Sequence, residues 1–420
     1  MGKALDIAYA VGAVVTSPAW GLSMLRTGKW RTDWPGRFGH QTPASVASQQ
    51  GPGEQGTILI HAVSVGEVNL IKPLIDHFEQ TYPYPDLRVV ICTTTNTGYT
   101  RATQLYAEQH EVVRYPFDFS SAVARFLDRI GPDVVALTEL EVWPNFVQAC
   151  VKRDIPVAVI NGRLSERSFR GYHRFRGLLS GMFSSLSAVA AQTQDYADRF
   201  IAMGVPEQRV QVLDTMKWDA AKIVDEIAGA HELATEMGID RGKPLIVAGS
   251  TGTGEEKILI DTCPTDVQLM LVPRKPERFE EVAALSSEMV RRTRPGDVNS
   301  GGRLFLLDTM GELGKAYTLA DVVIVGRSFN GWGGSDPIEP VALGKPTIIG
   351  PDHHNFADAV SALESGGGLI VTKKPGEAVS ALLAAPAKRA ELAKRGREVI
   401  LSRQGATKRH AEMLMQLIKR

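Results

Sequence analysis

The sequence predicts an α/β protein built from two Rossmann-like domains, with an apolar helical segment in front of them. Three observations carry that class. At 420 residues the chain is too long for one ordinary core and suits two. Short apolar runs, β-branched and nearly unbroken, alternate with helical stretches, as strands do in a parallel sheet covered on both faces. The runs fall into two series of six, and the stretch between them, near 212–242, is rich in Ala and Glu and contains no strand.

The first element is the segment 4–25, mostly apolar. At about 1.5 Å per residue it is long enough to cross a hydrocarbon core of roughly 30 Å. Asp6 and Pro18 weaken it as a spanning helix. Arg26, Lys29 and Arg31, with Trp30 among them, follow the apolar run and favour a cytoplasmic carboxyl-terminal side. A cleaved signal peptide and a soluble amphipathic helix compete with this view. The late position of the positive charges favours a membrane anchor or interfacial helix over residues 1–33, spanning or lying flat. Residues 41–56 are rich in Gln, Ser, Pro and Gly and read as a flexible loop.

The first series of strands is expected at 57–63, 87–94, 111–116, 133–139, 156–161 and 187–193, with a helix from Ser120 that uses Ser as its N-cap and ends at Gly131. The second is expected at 244–250, 268–274, 303–308, 321–326, 346–350 and 368–372, and the chain closes on a basic helical segment from about Pro386. Ligands of such sheets bind at the carboxyl ends of the strands, so two sheets facing one another would form a cleft.

Composition narrows the function. Lys+Arg and Asp+Glu are equal at 47 each, which argues against wholesale nucleic-acid binding. Three cysteines, Cys92, Cys150 and Cys263, lie far apart and without metal-ligand spacing, which fits a reducing compartment.

The residues at the strand ends carry the chemistry. HAVSVGE puts Glu67 in the first turn of a helix, where a carboxylate either caps the helix or, in a closed site, works as a base. TTTNTGYTRA is a hydroxyl-rich turn. TELEVWPN places Glu139 and Glu141 at one strand mouth, NGRLSERSFRGY brings Arg163, Arg167 and Arg170, and DTMKWD places Lys217 between the domains. Arginines suit an anionic substrate because their planar fork pairs with carboxylate or phosphate. In the second half GSTGTGEE is a Gly-rich turn whose N–H groups could hold an anion, but it lacks the GK[ST] ending of a P-loop. VPRKPERF, DTMGELGKAY and GGSDPIEPVALGKP add Arg274, Glu312 and Glu339 at successive strand ends. Together they describe a nucleotide pocket: an arginine for phosphate, backbone turns for the base, and Glu339 for ribose hydroxyls at a helix opening at Pro337. His353 and His354 read as loop residues rather than metal ligands.

The ordered set HAVSVGE, TELEVWPN, NGRLSERSF, VPRKPERF, DTMGEL and DPIEPVALGKP resembles the 3-deoxy-D-manno-octulosonic acid (Kdo) transferase family, from Trp34 through the C-terminal helix. The resemblance implies a GT-B fold, two Rossmann-like domains facing a central cleft. It implies an inverting glycosyltransferase that moves Kdo from CMP-Kdo to a lipid A precursor (lipid IVA) in lipopolysaccharide core biosynthesis. The expected location is the cytoplasmic face of the inner membrane, with the membrane surface as a partner and no nucleic acid, metal or other cofactor. It further implies that Glu67 is the general base and that Glu139 and Lys217 stabilise the transition state. Pro273, Arg274, Met310, Gly311, Glu312, Asp336, Pro337, Ile338 and Glu339 would contact the CMP moiety. The domains implied are 1–33 as anchor, 34–215 for the acceptor, and 216–420, with the C-terminal helix, for CMP-Kdo. The chain departs from the family pattern at Asp214, Gly252, Lys275 and Asp336. A GT-B enzyme with another nucleotide sugar, a sugar epimerase, or an inactive membrane-associated binding homologue are the alternatives.

Overall fold

The computed structural model describes residues 5–7, 9–11, 16, 32–40, 51–294 and 302–418. The chain divides into two compact units, 1–220 with 405–420, and 221–404.

The first unit holds a seven-stranded parallel sheet: β1 (Gly56–His61), β2 (Leu87–Thr93), β3 (Glu111–Arg114), β4 (Val134–Thr138), β5 (Val157–Gly162), β6 (Ala188–Ala191) and β7 (Val210–Val212), in the order β3-β2-β1-β4-β5-β6-β7. β1 lies between β2 and β4, so the switch point of the sheet is at the β1/β4 boundary. Strands β1 to β6 are almost wholly buried, which is why their sequences read as unbroken apolar runs. β7 went unforeseen because it is a three-residue edge strand, largely exposed, with no such run.

The second unit repeats the design with β8 (Leu245–Thr251), β9 (Gln268–Pro273), β10 (Val290–Arg291), β11 (Leu304–Leu306), β12 (Val322–Val325), β13 (Thr347–Ile349) and β14 (Ile370–Val371), all parallel, in the order β10-β11-β9-β8-β12-β13-β14. Its switch point is between β8 and β12. The unforeseen strand is again at an edge, the two-residue β10.

One clamp recurs in both sheets. Asp133, just before β4, accepts the Thr57 N–H at 2.7 Å and returns its own N–H to the Thr57 carbonyl at 2.9 Å. Asp321, just before β12, does the same to Leu245 at 2.9 and 2.8 Å. The sequence Asp-Val-Val at both places therefore locks the two strands of each switch point in register at their amino ends.

Two expectations need correction. The domain boundary at 215/216 moves to 220/221, and the C-terminal helix Ala406–Ile418 leaves the second unit for the first. Ala411, Met413, Leu414, Met415 and Leu417 join the core formed by β1, β2 and β4. Asp219 caps the returning helix by accepting the Gly405 and Thr407 N–H groups at 2.6 Å each. His410 then donates from Nδ1 to the Ala406 carbonyl at 2.7 Å and accepts the Asn161 N–H on Nε2 at 3.0 Å. The second correction is the helix Ser120–Ile130, whose N-cap is Phe119 rather than Ser120. The Ser120 N–H and hydroxyl are instead both taken by Asp6. Most of the segment 4–25 and residues 41–50 lie outside the described residues. Among the described residues no helix is long and apolar enough to cross a membrane.

Burial lowers the His410 imidazole from 6.5 to about 4, so the folded chain holds it neutral. Its contribution to stability is complete above pH 6.5 and is lost as pH falls through 4. His410→Ala leaves the Asn161 N–H without this acceptor and opens a cavity. It should cost about 3 kcal/mol in urea unfolding at pH 7.5 and flatten the loss of stability on acidification. An unchanged midpoint would show that this contact does not hold the returning helix.

Candidate active site

At the carboxyl end of β1 the chain leaves the sheet through Ala62–Ser64 and enters the helix Val65–Leu70. Ser64 is the extended N-cap residue, but its hydroxyl does not cap the helix; it donates to Glu67 Oε1 at 3.2 Å. Glu67 Oε2 accepts the Val63 N–H at 2.7 Å. The carboxylate thus does cap the turn. Burial nevertheless raises its pKa from 4.5 to about 7, against those two hydrogen bonds, and the carboxylates of Glu139 and Glu141 push the same way.

Glu139 is the first residue after β4, the neighbour of β1 in the sheet, and it is left-handed at φ 59°. Its N–H donates to the Ile160 carbonyl at 3.0 Å, which fixes the turn to β5. Burial also raises the Glu141 carboxyl, opposed by a 3.0 Å hydrogen bond from Trp143 Nε1. The structure therefore brings SVGE and TELE together at the switch point, with Glu67 and Glu139 within electrostatic reach.

The support beneath them is polar but spent. Thr95 Oγ1 donates to the Val63 carbonyl and accepts the Gly98 N–H, each at 3.0 Å. A Cβ at position 98 would stand 2.9 Å from the Val63 carbonyl oxygen, so the hydroxyl-rich turn needs glycine there. Arg37, from the WPGRF stretch, donates to the Tyr115 carbonyl at 3.0 Å and also to the Thr94 carbonyl. His61 stacks on Tyr115 with centroids 4.0 Å apart, and burial takes its pKa to about 3, so it stays neutral.

Lys217 opens the short helix Lys217–Ala220 after β7 and is half-buried. The preceding N–H, of Met216, donates to Asn161 Oδ1 at the end of β5 at 3.1 Å. That bond draws the segment back across the sheet toward the strand beside β4. Of the arginines, Arg170 is exposed and paired with Glu166 at 2.8 Å, Arg167 is exposed, and Arg163 follows β5.

In the second unit Arg274 leaves β9 exposed. Its N–H is anchored to the Thr251 carbonyl at 3.1 Å, and its guanidinium has no partner among the described residues. Pro273 ends the strand. Met310 is 63% exposed and Gly311 is left-handed at φ 89°. Burial works against the Glu312 charge, but hydrogen bonds from Thr309, Arg292 and Lys315 hold its carboxyl below the usual range. Its side chain is thereby committed to the protein. Asp336 Oδ1 accepts the Ile338 N–H at 2.9 Å at the start of the five-residue helix Ile338–Ala342, whose N-cap residue, Pro337, is buried. Glu339 is exposed, yet the close packing around its carboxyl, with the Asp336 charge beside it, raises the group.

The Gly-rich turn departs from expectation. The Gly252 N–H is taken by the Glu255 carboxylate at 2.7 Å, so this donor is not open to an external anion. Glu255 is the residue that the sequence reading missed. The signal was a carboxylate three residues after the turn glycine, the spacing of a reciprocal cap. His353 donates from Nδ1 to the Gly350 carbonyl at 2.8 Å, a contact within its own loop. Among the described residues no group of three or more His, Cys, Asp or Glu side chains is arranged to hold a metal.

Residues 32–220 match the family described as 3-Deoxy-D-manno-octulosonic-acid transferase (kdotransferase). The chain is 30% identical to the 3-deoxy-D-manno-octulosonic acid transferase of Haemophilus influenzae over 414 residues, covering 95% of each chain. It is 30% identical to that of Bordetella pertussis over 410 residues, covering 92% of each. Among solved structures, the UDP-GlcNAc 2-epimerase from Neisseria meningitidis bound to UDP-GlcNAc superposes with a TM-score of 0.58 over 86% of this chain and 100% of the other, at 15% identity. That likeness concerns the fold alone and agrees with the GT-B class of two parallel sheets in tandem.

Glu67→Gln keeps an acceptor for the Val63 N–H and removes the half-buried charge. The folded pKa of about 7 lies above the ordinary 4.5, so this group's contribution to stability is full below pH 4.5 and is lost as pH rises through 7. The variant should therefore be more stable than wild type at pH 8.5, by about 1–2 kcal/mol once solvent screening is allowed for, and equal to it near pH 5. Thermal melts at the two pH values test this; a variant that melts lower at pH 8.5 contradicts the burial argument.

Proposed function

The chain belongs to the 3-deoxy-D-manno-octulosonic acid (Kdo) transferase family, and on that premise we propose that it is an inverting glycosyltransferase of lipopolysaccharide biosynthesis, moving Kdo from CMP-Kdo to a lipid A precursor. The observation that carries the mechanism is the Glu67 carboxyl poised at about 7 beside the switch point of the first sheet. A base with that pKa is ionised in a useful fraction at neutral pH and can still take a proton.

In the proposed reaction Glu67 accepts the proton of an acceptor sugar hydroxyl as that oxygen attacks the anomeric carbon of Kdo. The bond from that carbon to the phosphate oxygen of CMP breaks, and CMP leaves with the electron pair. Glu139 and Lys217 are assigned to the charge that develops around the anomeric centre. On the donor side, the guanidinium of Arg274, without a partner among the described residues, suits the single phosphate. The backbone of Met310, Gly311 and Glu312 is assigned to the base, and Asp336 through Glu339 to the ribose. This routing asks for no metal.

We place the protein at the cytoplasmic face of the inner membrane. The reading is supported by exposed apolar side chains on the first unit. Ile7 and Val11 are 66% and 57% exposed, one helical turn apart, while Tyr9 between them donates to Asp118 at 3.0 Å. Phe175 and Leu178 are 64% and 62% exposed and stand among the exposed Arg170, Arg174 and Arg176. Apolar anchors among basic residues fit an anionic lipid surface.

The test is CMP release from CMP-Kdo with a tetraacylated lipid A precursor. Glu67→Ala and Glu67→Gln should lose on the order of 10²–10⁴-fold in turnover while still binding CMP. In wild type kcat/KM should rise with pH through about 7, and EDTA should leave it unchanged. Release that survives Glu67→Ala would remove the base assignment. In a separate experiment, Phe175→Ser with Leu178→Ser should reduce co-sedimentation with vesicles containing phosphatidylglycerol several-fold. Undiminished binding would rule that surface out.

A further inference from the structure

The turns that close the carboxyl end of the second sheet at its switch point are joined by a side chain that the proposed mechanism does not use. Glu255 is 0% exposed. Its Oε2 accepts the N–H of Gly252 at 2.7 Å and of Arg327 at 2.5 Å. Its Oε1 accepts those of Ser328 at 2.7 Å and Phe329 at 2.9 Å. Among the described residues no cationic side chain pairs with it; the nearby Arg278 is bidentate to the next residue, Glu256, at 2.7 and 2.9 Å.

Four convergent backbone N–H groups are the kind of nest that takes a phosphate oxygen or another oxyanion. Gly252 comes from the turn after β8, and Arg327 to Phe329 from the turn after β12. These strands are direct neighbours, paired from Ile246↔Val322 to Gly249↔Val325. In doubly wound sheets this is where ligand phosphates arrive. Here the nest is already filled by an anion that belongs to the chain.

The same carboxylate governs the segment assigned to the ribose. Arg327 is left-handed at φ 59°, and its carbonyl accepts the Gly334 N–H at 2.7 Å. Ser335 Oγ donates to the carbonyl of Ser250, itself left-handed at φ 56°, at 3.3 Å. Ser328 Oγ donates to the Val325 carbonyl at 2.6 Å and accepts the Gly350 N–H at 2.8 Å. Asp336 follows directly.

We infer that Glu255 is a built-in anion that restricts the donor subsite to ligands carrying one phosphate. The inference rests on the assignment of the donor to the second unit. A nucleoside diphosphate must set its second phosphoryl group against further N–H donors or a cation. The donors at the switch point are taken, and the carboxylate that takes them repels another anion. A nucleoside monophosphate needs only the first phosphate site, for which the Arg274 guanidinium is open. Glu255 is thus a specificity-determining and positioning residue rather than a catalytic one.

Calorimetric titration of the full chain with CMP, CDP, UMP and UDP tests this. Wild type should bind the monophosphate of its preferred base at least tenfold more tightly than the diphosphate. Glu255→Gln, which removes the charge, should narrow that ratio at least fivefold. Glu255→Asp, which keeps it, should preserve the ratio even if both affinities fall. Wild type that binds mono- and diphosphate equally overturns the inference, and this comparison decides the matter even if Glu255→Gln does not fold. Equal loss of both affinities in a folded Glu255→Gln also overturns it, because that is the mark of a purely structural role. A preference for uridine over cytidine would instead defeat the CMP-Kdo assignment and leave the phosphate-number inference standing.

Discussion

Parallel strands that meet at a switch point leave backbone N–H groups at their ends that no neighbouring strand can pair, and burial forbids leaving them open. Much of the functional architecture follows from how carboxylates meet that need. At the amino ends Asp133 and Asp321 close the clamp on Thr57 and Leu245 in the same way in both sheets. At the carboxyl ends Glu67 and Glu255 take the N–H groups of the turns that follow β1 and β8. The two units are thus built on one plan, with an acid on each side of the same strand pair.

The difference between the two carboxyl-end glutamates is a matter of donor count. Glu255 receives four N–H groups, enough to replace most of the solvation that a carboxylate loses on burial. Glu67 receives one N–H and one hydroxyl, and it faces two further carboxylates. Under-solvation of this kind lifts a carboxyl toward neutrality, as the proposed proton transfer from a sugar hydroxyl requires. The first unit keeps an acid short of donors, which is what the base role proposed for Glu67 asks of it. The second unit saturates its acid with donors and gains a rigid join between two turns.

How much of this the sequence discloses depends on the range of the interaction. Strands such as Leu87–Thr93 are legible because burial on both faces demands continuous apolar residues. The edge strands Val210–Val212 and Val290–Arg291 make no such demand and leave no pattern. The position of Glu67 could be read from SVGE, since it depends on neighbours within one turn. Its raised pKa could not, because it comes first from burial in the folded unit and then from Glu139 and Glu141, which reach it only through the pairing of β1 with β4. The return of the helix Ala406–Ile418 to the first unit depends on Asp219 and on Asn161, the latter 249 positions from His410. The Asp6 cap on Ser120 is equally remote, 114 positions away. Glu255 was half legible: the glycine turn announced an anion, but its source was the chain itself.

Backbone strain marks the same places. Among the described residues the non-glycine positions with left-handed backbone are Glu139, Asp154, Asn161, Asp214, Ser250 and Arg327. All but Asp154 stand at or just past the carboxyl end of a strand, namely β4, β5, β7, β8 and β12. Each costs roughly 1–3 kcal/mol unless its surroundings compensate. Here they do: Glu139 is bonded to Ile160, Asn161 to His410, Gln192 and Met216, and Arg327 to Glu255. At Asn161 and Ser250 the strain coincides with a shift in strand register, which re-aims the side chains beyond it. An extended residue would continue the pleat and send the chain onward. A left-handed one turns it sharply while its side chain stays at the strand mouth. The polar bonds that fix these turns therefore also fix the directions of Glu139 and of the Arg327 loop. A site that must hold a charged transition state needs that preorganisation more than it needs the few kcal/mol the strain consumes.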